Sequence, residues 1–471
     1  MLFSSIPFLY YFLPVVLIAY YLAPKPVKNG VLLLASLVFY AWGEPSFAIL
    51  MFATICIGFA SGIIIEKLKQ EKYAGKPWAK IALIVSLGIC LGFLAYFKYA
   101  NFFITNINAA TGISLPLLKV ALPIGISFYT FQLVSYIIDV YWGKVAAQRN
   151  FIILATYITM FPQLIAGPIV RYSDVEKQLK DRSISFERIA YGIRRFSFGL
   201  GKKILIANVL GEFCTAFKVT DEKSILFFWA YAVAVSLQIY FDFSGYSDMA
   251  IGLGSMLGFQ FIENFNYPFI SKSATEFWRR WHMSLGTWFR DYVYIPLGGS
   301  RCSKPRNLFN IFVVWMLTGF WHGAEWTFVV WGLYFGILLM LEKTFLLKWL
   351  EKIPVLGHGY ILILVIISFV IFDATSLLDA VAHIGAMFGG AGLPVTNGVT
   401  FYYLSSYFVI FLIAIIGSTP LPKKVLEKAF ETKVGYSVIT MVEPLAMILI
   451  LLVSTGYLVD GSFNPFLYFR F

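Results

Sequence analysis

Two histidines are the side chains of this sequence best suited to proton transfer. His282 lies in "WRRWHMS", and His322 lies in "MLTGFWHGAEWTFVVWG", an apolar run that also holds Trp321 and Trp326. An imidazole changes its charge near neutral pH. An ionisable group is costly to keep inside a membrane, so a functional role is the first hypothesis for both histidines. The alternative for each is a neutral ring that is hydrogen-bonded inside a tight helix bundle.

Glu325 follows His322 by three residues, which would place both side chains on one face if the segment is helical. A carboxylate in that position can fix the tautomer of an imidazole, as it does in acid–base sites. The alternative is a charge at a helix end near the membrane interface. The H-x-x-E spacing is also typical of a metal site, but no second pair of ligands stands nearby in the sequence. We therefore predict no metal and no cofactor.

Three kinds of chemistry are open to a histidine inside a membrane, and they need different partners. A metal site needs further ligands, and a proton relay needs a ladder of acidic or imidazole groups across the spans. In or beside the apolar runs there are few such groups, mainly Asp139, Asp242, Asp248 and Glu325. A general base needs only a hydroxyl nucleophile and an activated electrophile. The residues therefore favour an enzyme over a transporter or channel component without covalent chemistry; that alternative stays open, as does a scaffold for a polysaccharide synthase.

The composition of the chain indicates a membrane protein. Of its 471 residues, 59% are hydrophobic and 13% are charged, and the mean hydropathy is +0.77. A soluble domain carries about 25% charged residues, so this chain cannot cover a water-facing surface. The formal net charge of +12 comes from basic residues in short loops, which is typical of positive-inside topology and contact with anionic lipid. We therefore predict no nucleic-acid partner.

The apolar runs predict an all-α polytopic membrane protein. A full crossing needs about 20 apolar residues, and several runs are shorter or broken, so we expect roughly 11 transmembrane helices plus re-entrant helices. No internal repeat and no soluble domain stand out, and the chain is interpreted as one membrane domain over residues 1–471. The runs are 7–24, 30–41, 46–65, 79–97, 119–141, 151–170, 188–210, 225–241, 246–262, 308–322, 326–347, 359–379, 401–418 and 438–458.

A polar stretch interrupts the apolar pattern in "IYFDFSGYSDMAIG". It places Asp242, Ser244 and Asp248 inside membrane-like sequence, where a lipid-facing position would be costly. We expect these side chains to line an internal passage or to lock the helices around it.

The sequence resembles the membrane-bound O-acyltransferase (MBOAT) family, in the branch of the bacterial alginate O-acetylases. The resemblance covers nearly the full length and rests on the order of its motifs rather than on any one of them. These motifs are "MLFSSIPFLYYFLP", "FYAWGEP", "LPIGISFYTFQLVSYIIDVY", "FPQLIAGPIVRY", "IYFDFSGYSDMAIGLGSMLGF", "NFNYPF", "EFWRRWHMSLGTWFRDYVYIPLGGSR", "LTGFWHGAEWTFVVWG" and "NPFLYFRF".

The resemblance implies a ring of tilted helices around a central tunnel, in a multi-pass protein of the bacterial plasma membrane. A cytoplasmic acyl donor, acetyl-CoA, would enter one end of the tunnel, and the acetyl group would go to an exported polysaccharide such as alginate. The expected partners are membrane lipid, the polysaccharide acceptor and an extracytoplasmic acetyltransferase of the SGNH-hydrolase type. The resemblance makes His322 the catalytic base and His282 the second functional histidine.

Three further groups of residues have expected roles, and for the first, the segment 276–299, the alternative is an ordinary positive-inside loop with an aromatic belt. Donor binding falls to the segment 276–299, which would form the cytoplasmic mouth of the tunnel, where arginines can pair with phosphates. Tyr468, in the aromatic C-terminal segment, is a candidate acyl relay, and the alternative for that segment is an interfacial anchor. The donor-binding residues are Arg279, Arg280, Trp281, Ser284, Arg290 and Asp291, and the orienting or tunnel-lining residues are Glu325, Trp321, Asp242, Ser244 and Asp248.

Overall fold

Helices make up most of the part of the chain that the structure describes. The computed structural model describes residues 1–70, 72, 75–460 and 466, and no β-strand occurs among them. This confirms the predicted all-α class. The described residues fall into two compact units, one of residues 1–196 and 249–262 and the other of residues 197–248 and 263–471. The single domain over residues 1–471 stays a prediction.

The first unit contains the helices of the N-terminal part of the chain. Helix α10 begins here and continues into the second unit. The helices are α1 (Leu13–Leu22), α2 (Lys28–Ala41), α3 (Pro45–Leu68), α4 (Trp78–Leu94), α5 (Ala100–Thr111), α6 (Ile126–Trp142), α7 (Phe151–Thr159), α8 (Phe161–Leu164), α9 (Tyr172–Lys180) and α10 (Phe186–Gly201).

The second unit holds both candidate histidines. Short π-helical turns lead into or out of several of its helices, at Lys202–Asn208, Arg290–Tyr294 and Glu342–Leu346. Its helices are α11 (Val209–Val219), α12 (Ile225–Met256, whose last residues belong to the first unit), α13 (Ala274–Arg280), α14 (Met283–Phe289), α15 (Lys304–His322), α16 (Trp326–Leu341), α17 (Leu347–Lys352), α18 (Pro354–Asp373), α19 (Leu377–Met387), α20 (Gly398–Ser406), α21 (Phe408–Gly417), α22 (Leu421–Phe430) and α23 (Lys433–Val459).

Six helical stretches of the described residues are long and apolar enough to cross a membrane. The bent pair α20 and α21, with an angle of 57° between its halves, makes up to seven. The predicted number of roughly 11 crossings stays a prediction, because several apolar helices are shorter than a full span. The six stretches are Pro45–Leu68, Trp78–Thr111, Ile225–Met256, Trp326–Leu350, Pro354–Asp373 and Lys433–Val459.

One predicted break is wrong. The sequence separates apolar runs at 225–241 and 246–262, but the structure has one continuous helix, α12, over Ile225–Met256. Two acidic residues, Asp242 between the runs and Asp248 inside the second run, stay helical because their charges are paired: Asp242 with Lys203 at 2.5 Å and Asp248 with Lys202 at 2.7 Å. A buried charge is tolerable when an opposite charge meets it.

Helices α15 and α16 form a hairpin whose backbones almost touch. A Cβ atom on Gly332 would lie 2.8 Å from the Gly319 Cα and would also collide with the Trp315 carbonyl oxygen. A Cβ on Gly319 would collide with the Phe328 carbonyl oxygen. Small residues of this kind let two helices in a membrane approach closely. The hairpin matters for function because His322 is the last residue of α15.

We expect Gly332→Ala to destabilise the second unit by about 1–3 kcal/mol, the usual cost of forcing an extra carbon into a packed core. Thermal unfolding in detergent measures the loss. Gly359→Ala is the matched control, since a Cβ on Gly359 meets nothing within 4 Å. Equal melting temperatures for the two variants would contradict the close approach.

Candidate active site

The two histidines that the sequence singles out lie next to each other in the second unit. Their ring centroids are 6.5 Å apart, and His282 and His322 are 1% and 4% exposed. Trp321 packs on both rings, with centroids 6.1 Å from His282 and 5.1 Å from His322. Two residues that lie 40 positions apart in the sequence thus share one buried site.

Aromatic side chains enclose the ring of His322. Trp331 from α16 and Phe372 from α18 meet it edge-on, with centroids 5.0 and 5.5 Å away. The backbone of His322 is set by the end of α15, which Gly323 terminates in an extended conformation. The imidazole is therefore held by ring packing at the end of the rigid α15–α16 hairpin.

His282 adopts a backbone conformation that L-residues rarely take. It lies between α13 and α14 with φ 44° and ψ 52°, in the left-handed region. Among the described residues, Tyr267 is the other non-glycine residue with positive φ. Such strain persists only where the surroundings over-determine it, and it is common at functional sites. Phe243 of α12 packs edge-on against the His282 ring, at 4.7 Å between centroids.

Asn264 holds His282 from the other side. The amide oxygen of Asn264 lies 3.1 Å from His282 Nδ1, and it accepts the backbone N–H of Ser284 at 3.2 Å and the Ser284 hydroxyl at 2.9 Å. Burial lowers the pKa of His282, which lies outside the candidate membrane spans, to about 3. The imidazole is therefore neutral near pH 7.

A cavity of about 750 Å³ opens beside His282. Indole and aliphatic side chains form its walls, while Arg279, Arg290 and Lys343 add positive charge to the lining. These three cations are exposed, so they remain accessible from solvent. The lining residues are Thr275, Trp278, Arg279, His282, Met283, Leu285, Gly286, Thr287, Phe289, Arg290, Tyr294, Ile311, Val314, Trp315, Thr318, Leu339, Lys343 and Leu347.

Comparison with known proteins agrees with this site. The model of the membrane-bound O-acyltransferase family, MBOAT, matches residues 145–378, which include both histidines. The whole chain also aligns with the "Probable alginate O-acetylase AlgI" of Pseudomonas putida, at 38% identity over 494 residues and over 100% of both chains. The chain belongs to the membrane-bound O-acyltransferase family. It is a multi-pass bacterial membrane protein and an O-acyltransferase.

Two further relatives show the range of this MBOAT branch. The "Probable alginate O-acetylase AlgI" of Pseudomonas aeruginosa is 42% identical over 393 residues, which cover 82% of this chain and 75% of the relative. The "Peptidoglycan O-acetyltransferase" of Helicobacter pylori is 32% identical over 451 residues, which cover 86% of this chain and 82% of the relative. Both names describe O-acetyl transfer to a polymer of the bacterial surface.

The structure divides the predicted donor-binding residues of this MBOAT protein. Arg279 and Arg290 line the cavity, and Asp291 pairs with Arg290 at 2.7 Å. Arg280 instead pairs with Glu276 at 2.9 Å and donates to the Asn266 carbonyl oxygen at 3.1 Å. The remaining two predicted residues, Trp281 and Ser284, are buried and contact other protein side chains. Trp281 stacks on Phe277 in the core, with centroids 5.5 Å apart, and Ser284 binds Asn264.

The shared helical face expected for His322 and Glu325 does not form. Helix α15 ends at His322, and α16 begins only at Trp326, with Glu325 exposed and extended before it. Gly323 breaks the helix between the two side chains. The i,i+3 relationship on which the orienting role of Glu325 depended is therefore absent, and the position matches the alternative of a charge at a helix end.

The polar stretch of α12 packs against the π-helical turn Lys202–Asn208. Asp242 and Lys203 form an ion pair in which both side chains are almost fully buried. Asp248 pairs with Lys202 nearer the surface. The Ser244 hydroxyl is buried and has no hydrogen-bond partner within the described part of the chain. The two acids thus lock α12 to its neighbour, which is one of the two roles that the sequence left open.

Sequence reasoning missed Glu342, which supports the cavity wall. Its buried carboxylate accepts the backbone N–H groups of Ala274 at 2.6 Å and Thr275 at 2.8 Å, and the Thr275 hydroxyl at 2.7 Å. These bonds satisfy the N-terminal amides of α13, the helix that carries Trp278 and Arg279. No local sequence signal shows this contact, because 67 and 68 positions separate the partners.

Tyr468, the predicted acyl relay, lies outside the described residues. Phe466 is described and is 3% exposed. Its ring packs against Tyr246 at 4.8 Å and against Phe243 at 6.1 Å. Because Phe243 also contacts His282, Phe466 is linked to His282 through one intervening side chain.

Proposed function

We propose that this protein transfers an acetyl group from acetyl-CoA, taken from the cytoplasm, toward an exported polysaccharide such as alginate. The observation that carries the proposal is the buried pair His282 and His322 beside a cavity with a cationic lining, in a chain of the MBOAT family. The relatives named above acetylate alginate or peptidoglycan. An O-acyltransferase makes and breaks covalent bonds, which replaces the alternative of a transporter or channel component.

In the proposed reaction His322 is the general base. It takes the proton of the acceptor hydroxyl as the hydroxyl oxygen attacks the acetyl carbonyl carbon. The C–O bond forms, the C–S bond breaks, and the proton passes to the sulfur, which leaves as the thiol. The aromatic rings around His322 keep the imidazole in place and exclude water, so the acetyl group is not lost to hydrolysis.

The cavity beside His282 is the proposed donor site. Arg279, Arg290 and Lys343 offer positive charge to the phosphates of acetyl-CoA, and the indoles of Trp278 and Trp315 give its apolar arm a hydrophobic surface. No metal and no tightly bound cofactor is needed for this reaction. His282 lies at the boundary between the donor cavity and His322, where the thioester would meet the acceptor.

The proposed acceptor side involves the C-terminal segment and a partner. Tyr468 would receive the acetyl group on its hydroxyl and pass it to the serine of an extracytoplasmic partner of the SGNH-hydrolase type, which completes transfer to the polysaccharide. Support comes from Phe466, two positions before Tyr468, which packs beside the neighbour of His282. The alternative role of this segment is an interfacial anchor.

We expect His322→Gln to lower acetylation of the polysaccharide by about 10²–10⁴-fold, the usual cost of losing a general base. The acetyl content of the exported polymer, measured in cells that lack their own copy of the protein, reports the effect. His358→Gln is the control, since His358 lies on α18 and bonds the Ser271 carbonyl oxygen. Undiminished acetylation with His322→Gln would refute the base assignment.

The two neighbouring arginines should differ in donor binding. Arg279→Met removes a cation from the cavity, so we expect the dissociation constant for CoA to rise about tenfold. The affinity for CoA should also depend less on salt concentration in the variant than in the parent protein. Arg280→Met removes an arginine that is engaged with Glu276 and should change the affinity less than threefold. Isothermal titration of the purified proteins with CoA measures both, and equal effects would rule out the cavity as the phosphate site.

The relay and anchor hypotheses predict different results for Tyr468→Phe but the same loss for a deletion. Tyr468→Phe keeps the aromatic ring and removes the hydroxyl, so we expect loss of polysaccharide acetylation while the protein level in the membrane stays normal. Deletion of Pro465–Phe471 removes both anchor and hydroxyl. If Tyr468→Phe supports normal acetylation and only the deletion fails, the segment is an anchor and the relay is wrong.

A further inference from the structure

Asn264 is fully buried at the centre of the site, and the chain wraps around it. Its backbone oxygen accepts the Met283 N–H at 3.0 Å, and its side-chain oxygen contacts His282 Nδ1 and both donors of Ser284. The left-handed backbone of His282 is what brings three consecutive residues onto one asparagine. The strained backbone of His282 therefore fixes the position of the Asn264 side chain, and such strain is common at functional sites.

The contacts of Asn264 determine which way its amide points. The backbone N–H of Ser284 can only donate, so the amide atom that faces it must be the oxygen. That oxygen cannot donate to His282, and therefore His282 Nδ1 carries the hydrogen. In the neutral ring Nε2 then has a free lone pair.

Two polar atoms of this arrangement are left over. The Asn264 Nδ2 group, with two hydrogens, and His282 Nε2, with a lone pair, are both buried and have no hydrogen-bond partner within the described part of the chain. A buried donor or acceptor that stays unsatisfied costs about 1–3 kcal/mol. Buried polar groups normally find partners. Because His282 lines the cavity, its Nε2 and the Nδ2 group of the adjoining Asn264 point to a ligand group that completes them.

We propose that Asn264 is a further catalytic residue, whose Nδ2 group donates a hydrogen bond to the carbonyl oxygen of the acyl donor. The inference rests on the proposed acyl transfer. When the acceptor oxygen bonds to the carbonyl carbon and His322 takes the proton, the electron pair of the C=O bond moves onto the carbonyl oxygen. The N–H of Asn264 stabilises this charge until the C=O bond re-forms, the C–S bond breaks, and the sulfur takes the proton from His322.

In this role the oxygen and the nitrogen of the Asn264 side-chain amide have separate functions. The oxygen orients His282, which lines the donor cavity, and the nitrogen acts on the reacting group. An oxyanion donor must be fixed before the charge develops, because reorientation during the reaction would consume the benefit. The hydrogen bonds from His282 and Ser284 provide this fixation.

The test compares Asn264→Asp with the parent protein and with Asn397→Asp. The aspartate has the same shape and still accepts from His282 and Ser284, but it has no N–H. We expect its kcat for acetyl-CoA to fall by about 10²–10³-fold, as when an oxyanion donor is removed elsewhere. Because the new carboxylate also favours the charged form of His282, the comparison uses the plateau of each pH profile. Asn397→Asp is the matched control and should retain kcat within about twofold, because the Asn397 side-chain oxygen also accepts the backbone N–H and the hydroxyl of one residue, Thr400, but Asn397 does not line the cavity.

Binding of a donor analogue separates catalysis from folding. S-ethyl-CoA lacks the carbonyl oxygen, so Asn264→Asp should bind it within about twofold of the parent protein. A plateau kcat within threefold of the parent, or a loss of S-ethyl-CoA affinity as large as the loss of kcat, would overturn the role of Asn264. A parent protein that neither binds CoA nor uses acetyl-CoA would instead overturn the proposed function and the inference with it.

A spectroscopic measurement keeps the inference testable if Asn264→Asp does not fold. Acetyl-CoA labelled with ¹³C at the carbonyl is bound to His322→Gln, in which turnover is slow. A hydrogen bond from Asn264 should lower the infrared carbonyl frequency below its value in water. An unchanged or higher frequency would refute the contact.

Discussion

Unsatisfied hydrogen-bonding groups are expensive in an apolar interior, and the second unit is arranged around this constraint. The Glu342 carboxylate accepts hydrogen bonds from the N-terminal amides of α13, and Asp242 forms an ion pair with Lys203. Asn264 collects three donors on one oxygen. Each of these contacts joins segments that are distant in sequence, so each restricts how the helices can pack. The polar atoms that remain without a partner are therefore informative, and two of them lie at the histidine pair.

Helix ends, rather than helix centres, hold the two histidines of the candidate site. His322 is the last residue of α15, and His282 occupies the strained connection between α13 and α14. A side chain at a helix end is not restricted to the regular helical face, so two such ends can converge on one point. The cavity lies against the same short helices, and its cations come from α13 and from the π-helical turns that begin at Arg290 and Glu342.

The sequence was sufficient for the helical class, and it singled out two histidines that the structure places side by side and an arginine, Arg279, that lines the cavity. It failed where a partner is set by tertiary packing: Asn264, Lys203 and Glu342 carry no local signal of what they contact. The predicted orienting role of Glu325 failed for a local reason, because Gly323 ends the helix that would have placed Glu325 beside His322. Helical periodicity also split α12 at its acidic residues, because a pattern of hydropathy cannot show that Lys202 and Lys203 neutralise them.

The glycine contact between α15 and α16 has a consequence for the timing of entropy loss. Where Gly319 faces Gly332 the two backbones are in contact, so the hairpin has little freedom to bend or slide. His322 is thereby ordered when the protein folds, and substrate does not have to order it afterwards. In the proposed reaction, the free energy that the donor gains from its contacts then remains available for the chemical step, since none of it is consumed in ordering His322.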